Sequence, residues 1–104
     1  MEVEVVYFDG CPNWRTAQQR LAEAMTRLGR FGTSVSLVEV TSAAEAVAAG
    51  FAGSPTFLVD GRDLFPGPVV SEDLACRLYM TSRGSAGCPT VEDLVGALQR
   101  EESS

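Results

Sequence analysis

Cys11 stands directly after the run Val3 to Gly10 and directly before Pro12, a residue suited to the first turn of a helix, where its missing N–H is not needed. A sulfur placed between a strand and a helix N-terminus meets unpaired N–H groups and the positive end of the helix dipole, and both stabilise a thiolate. Cysteines so placed can titrate well below the free value of about 8.5, and the thiolate is the form that attacks electrophiles and binds metals. The plainer alternative is a small buried hydrophobe, a common role for free cysteine. Histidine is absent. That removes Ser–His and Cys–His nucleophile pairs, His general bases and His metal ligands together. No Gly-rich phosphate loop and no usefully spaced pair of carboxylates is present, so the residues call for no cofactor.

The flanking pattern supplies an element on each side of Cys11. Val3, Val5 and Tyr7 alternate with Glu4, Val6 and Phe8, which reads as a strand buried on both faces and central in its sheet. Trp14, Ala17, Leu21, Met25 and Leu28 recur at helical spacing, with Arg15, Gln18, Gln19, Arg20 and Arg27 on the other side, and Gly29 and Gly32 end that helix. A tryptophan opening such a stripe is more often core than a substrate surface.

Ser34 to Val40 is a second strand. Ser42 and Glu45 have capping-box spacing ahead of a short alanine-rich helix that stops at Gly50. Thr56 to Asp60 is a third strand, and Asp60-Gly61 signals a hairpin into a fourth, Arg62 to Phe65. Thr90 caps a last helix carrying Val91, Leu94, Val95 and Leu98 on one face. The stretch from Pro66 to Pro89 stays irregular, with a short element expected over Leu74 to Met80 and a frayed acidic tail at 101–104. The order is βαβαββα: one α/β domain over residues 1–104, with a mixed four-stranded sheet flanked by helices.

The segments Phe8-Asp9-Gly10-Cys11-Pro12-Asn13-Trp14 and Gly53-Ser54-Pro55-Thr56 resemble the thioredoxin and glutaredoxin superfamily. The resemblance covers residues 2–65 and the last helix. It implies a cis-proline, Pro55, opening the third strand opposite Cys11, with the Ser54 backbone turned toward Cys11 to pair with an extended substrate. Cys11 is then catalytic, with Pro12, Trp14, Ser54 and Pro55 forming the substrate surface. Together with the later Cys76-Arg77-Leu78-Tyr79, the pattern is similar to small bacterial thioredoxin-like proteins, some of which carry an alkylmercury-lyase label.

The chain departs from the superfamily's Cys-x-x-Cys, because Trp14 stands where the second cysteine resolves a mixed disulfide. Three readings follow. The protein is a monothiol or thiol–disulfide oxidoreductase, resolved by an external thiol, by Cys76 or by Cys88. It is a non-catalytic binding module using the groove between Cys11 and Pro55. Or Cys11 and Cys76 form a soft-metal site for Hg, Cu or Zn.

Cys76 is preferred over Cys88 as the second catalytic sulfur, since its loop follows the fourth strand and can fold back over Cys11. The alternative is that Cys76, with Leu74, Leu78 and Met80, only anchors its segment to the core. Cys88, between Gly87 and Pro89, is expected to be exposed and incidental.

The formal net charge of −6 argues against nucleic acid or an anionic membrane as partner. The redox reading that the resemblance implies takes a thiol or disulfide as partner, of a protein or a small molecule. Met1-Glu2-Val3-Glu4 carries acid where a signal peptide needs base, so a cytoplasmic address is expected. Cysteines there stay reduced unless they are catalytic or redox-sensing.

Overall fold

The computed structural model describes residues 2–29, 34–66, 76–81 and 83–102. Strand β1 (Val3–Tyr7) is followed by helix α1 (Asn13–Arg27), strand β2 (Val35–Glu39), helix α2 (Ala43–Ala49), and strands β3 (Thr56–Val59) and β4 (Arg62–Asp63). A second hairpin, β5 (Tyr79–Thr81) and β6 (Gly84–Ala86), precedes helix α3 (Val91–Glu102). The main sheet has the order β2-β1-β3-β4, with β1 parallel to β2 and the other pairs antiparallel. Among the described residues the result is a mixed α/β fold with a four-stranded sheet and three helices, and β1 is interior as its double-sided pattern requires.

Side-chain alternation along the strands divides the core in two. Val3 and Val5 of β1 and Phe57 and Val59 of β3 pack with Leu21, Ala24 and Met25 of α1 and Leu94 and Leu98 of α3. Val6 and Leu58 point to the opposite face and meet Val40, Ala46 and Phe51 beside α2. Burying the two faces against separate helices fixes the register, because a slip of one residue would exchange the two sets.

Local signals account for most boundaries. Asp60 (φ 51°) and Gly61 (φ 82°) are both left-handed, the geometry of a two-residue type I′ hairpin. Strand β4 is shorter than expected because Asp63 Oδ1 accepts the Phe65 N–H at 2.9 Å, a local turn that ends the pairing. Ser42 Oγ accepts the Glu45 N–H at 3.1 Å, while the Glu45 carboxylate reaches one residue further back than expected, to the Thr41 N–H at 2.7 Å. Those Thr41 bonds hold the Glu45 carboxyl below its ordinary range. Thr90 and Asp93 cap α3 reciprocally, at 3.1 and 3.2 Å. Gly29 (φ 73°) follows the end of α1; Gly32 lies outside the described residues.

Three expectations are corrected. The stretch 66–89 is not irregular throughout: residues 79–81 pair antiparallel with residues 84–86 as β5 and β6. Leu78 and Met80 do not anchor it, being 76% and 83% exposed; the anchor is Tyr79, buried with Phe57 and Phe65 around it. Glu101 is not frayed but helical, and it pairs with Arg62 of β4. Leu74, Ser103 and Ser104 lie outside the described residues.

Candidate functional site

The end of β1 and the start of α1 are joined by a turn in which the Cys11 N–H donates to the Phe8 carbonyl at 3.1 Å. Pro12 is the N-cap of α1 and supplies no side-chain acceptor. No capping side chain therefore competes for the N–H groups at the head of α1, beside Cys11. Cys11 itself is completely buried. Its thiol donates to the Ser54 carbonyl, with sulfur and oxygen 3.5 Å apart.

The Ser54–Pro55 bond is cis. Two side chains hold this turn against its neighbours. Thr56 Oγ1 donates to the Gly53 carbonyl at 2.5 Å and accepts from the Ala52 N–H at 3.0 Å. The Phe8 N–H points to Ser54 Oγ at 3.4 Å, linking the prolyl turn to the end of β1. Ser54, Pro55 and Thr56 are all buried.

Cys76 comes back over this corner from 65 positions further along the chain. Its Sγ lies 2.8 Å from Cys11 Sγ, and both are free thiols. The backbone matches the side chains: Cys76 forms a parallel bridge with Ser54, and the Arg77 N–H donates to the Ser54 carbonyl at 2.9 Å. The groove between Cys11 and Pro55 is thus crossed by the protein's own chain.

Cys76 is exposed where Cys11 is not. The hydrogen bond to Cys11, burial, and then the Cys11 charge push the Cys76 thiol up to about 11. Negative charge so close to Cys76 disfavours a second charge there, which keeps the proton on the Cys76 sulfur.

Arg77 fixes the crossing segment. Its guanidinium donates to Asp63 Oδ2 at 2.8 Å and to the Phe65 carbonyl, and it lies 4.7 Å from the centre of the Tyr79 ring. The Tyr79 hydroxyl donates in turn to the Pro55 carbonyl. At Gly53 (φ 108°) a Cβ would stand 2.8 Å from Arg77 Cβ, so glycine is required both by the conformation and by the approach of Arg77. The sequence shows Arg77 and Tyr79 only as part of the segment that carries the resemblance, and it assigns no role to them or to Asp63. The available signal was weak: an arginine flanked by Cys76 and Leu78 in an otherwise apolar stretch.

Trp14 is half-buried rather than core, stacked on Tyr7 with ring centres 4.3 Å apart and with the Arg15 guanidinium over its ring, 5.1 Å from the centre. Pro12 is exposed. Cys88, expected at the surface, is buried in the core beside α1 and α3, and burial pushes its thiol up while Arg20 opposes the shift. Arg20 also donates to the Pro89 carbonyl at 3.0 Å, so it is not a purely solvated residue.

The chain matches no family model, no curated protein and no solved structure. Its chemistry is therefore read from its own side chains. Among the described residues no group of three or more Cys, Asp or Glu is assembled to hold a metal ion, and no helix is long and apolar enough to cross a membrane.

Proposed function

We propose that this protein is a thiol–disulfide exchange protein of thioredoxin-like type in which Cys11 and Cys76 form a two-electron dithiol/disulfide couple. The observation that carries the reading is the 2.8 Å approach of two sulfurs 65 positions apart, aligned by a backbone bridge between Ser54 and Cys76. Cys76 then supplies the second sulfur of the couple that Trp14 cannot, and the head of α1 favours negative charge on Cys11 when the bond opens.

The cis Ser54–Pro55 bond opposite Cys11 and the β2-β1-β3-β4 sheet support the superfamily assignment. A peptide-binding module would need the groove between Cys11 and Pro55 open, and the pairing of Arg77 with Ser54 weighs against it. Two sulfurs without a third donor among the described residues also fall short of the four ligands of a structural zinc site.

The test is a peptide map of the protein equilibrated across a series of thiol/disulfide buffers. A Cys11–Cys76 bridge that appears and disappears reversibly, with Cys88 free throughout, is the expected result. Three free thiols under every oxidising buffer would overturn the reading.

A further inference from the structure

We propose that the outside partner of the Cys11–Cys76 couple bonds to Cys76, that Cys11 is the inner sulfur, and that the partner is a low-molecular-weight thiol or its disulfide. This rests on the redox reading above and reverses the order that the position of Cys11 in the sequence suggests.

Burial decides the order. Cys11 is completely buried, whereas Cys76 is exposed. In the disulfide form an incoming thiolate therefore reaches the Cys76 sulfur first. Its attack forms a bond between the partner and Cys76 and breaks the Cys11–Cys76 bond, leaving the charge on Cys11 at the head of α1, where it is best tolerated. A second partner thiolate attacks the partner's sulfur in the mixed disulfide and displaces Cys76. Two partner thiols have then become one disulfide, two electrons have passed to the protein, and the two protons given up end on Cys11 and Cys76. The reverse sequence reoxidises the protein with the partner's disulfide.

The backbone decides the size. An extended polypeptide needs an open strand edge to lie against, and the carbonyl of Ser54 already accepts from Arg77. Gly53 meets Arg77 too closely for a second chain to pass between them. Arg77 is in turn held by Asp63 at 2.8 Å, so the residue next to Cys76 is tied to Ser54 through its backbone and to β4 through its side chain. What remains open is the solvent side of Cys76, which suits a molecule that needs no backbone pairing.

The experiment uses Cys11→Ser and Cys76→Ser, with Cys11→Ala as a second form of the first should the serine hydroxyl disturb the core. Each is treated with bis(2-hydroxyethyl) disulfide, and the mixed disulfide is located and timed by peptide mass spectrometry. The adduct on Cys76 in Cys11→Ser is expected to form at least ~10-fold faster than the adduct on Cys11 in Cys76→Ser, because only the former sulfur is accessible. A cysteine-containing decapeptide, presented as its disulfide with 2-mercaptoethanol, is expected to react with Cys76 at least ~10-fold more slowly than the small disulfide. An adduct that forms on Cys11 as fast or faster overturns the order, and a peptide that reacts as fast or faster overturns the size class. Either result beside an intact Cys11–Cys76 bridge in the wild-type map removes this inference alone; absence of that bridge removes the redox reading beneath it.

Discussion

Arg77 and Asp63 form an ion pair at 2.8 Å in which both side chains are largely shielded from water, and the pair joins the Cys76 segment to strand β4. A shielded pair of this kind is worth more as a positioning device than an exposed one, because its partners cannot relax into solvent. Arg77→Ala is therefore expected to loosen Cys76 against Cys11 and to weaken the disulfide. The equilibrium constant for forming the bond, measured against dithiothreitol, should fall at least ~10-fold, which is a rise of about 30 mV in reduction potential. Arg77→Lys should recover only part of it, since a lysine cannot reach the Asp63 carboxylate and the Phe65 carbonyl with one planar group. A constant within about twofold of wild type in a folded Arg77→Ala protein would limit Arg77 to a structural role.

Alkylation kinetics report the coupling between the sulfurs. Cys76 is pushed up to about 11 first by its hydrogen bond to Cys11, then by burial and by the Cys11 charge. Removing that neighbour removes two of the three causes, so the shift must reverse downward. In Cys11→Ser, the pH midpoint for iodoacetamide labelling of Cys76 is expected to drop from near 11 toward the free value of about 8.5. Identical midpoints in the two proteins would show that the sulfurs do not communicate.

The Tyr79 hydroxyl donates to the Pro55 carbonyl inside the core. Tyr79→Phe keeps the ring contacts with Phe57 and Phe65 and removes the hydroxyl, and with it this donor. The cost of leaving a buried carbonyl without it is about 1–3 kcal/mol, to be read as a lower urea midpoint with an unchanged slope. An unshifted midpoint would mean that the bond contributes nothing net.

Stability should fall in alkali. Burial pushes up both the Cys88 thiol and the Tyr79 hydroxyl in the folded protein. Below the unfolded thiol value of about 8.5 both states are neutral at Cys88 and its contribution is intact. Above it the unfolded chain loses the proton first, binds fewer protons than the folded one, and is favoured as pH climbs through the folded value. The urea midpoint is expected to decline between about pH 8 and about pH 10, and less steeply in Cys88→Ala. Equal declines in both proteins would remove Cys88 from the explanation.

The parts of the fold legible in the sequence are those set by neighbours along the chain. Alternation placed β1 inside the sheet, Asp60-Gly61 carries its own left-handed turn, and Ser42 and Thr90 meet nearby N–H groups. The juxtaposition of Cys11 with the Ser54 turn was readable only through the superfamily resemblance. What local pattern does not carry is contact between distant segments. The burial of Cys88 depends on where α1 and α3 close over it, and the hairpin from Tyr79 to Ala86 depends on Tyr79 finding Phe57 and Phe65. Tyr79-Met80-Thr81 is β-prone enough to have signalled a strand, but nothing adjacent to it marks its anchor. Arg77 was hardest to see, because its partners Asp63, Phe65 and Ser54 lie 12 to 23 positions earlier in the chain.

The two sulfurs meet across 65 positions of a 104-residue chain. A covalent link there would turn more than half of the polypeptide into a closed ring and strip the unfolded ensemble of about 4 kcal/mol of conformational freedom. That is a sizeable share of what holds a domain of this size together. The electron count of the couple would therefore also set the thermal lifetime of the whole molecule, giving a tougher ring when oxidised and a more perishable open chain when reduced.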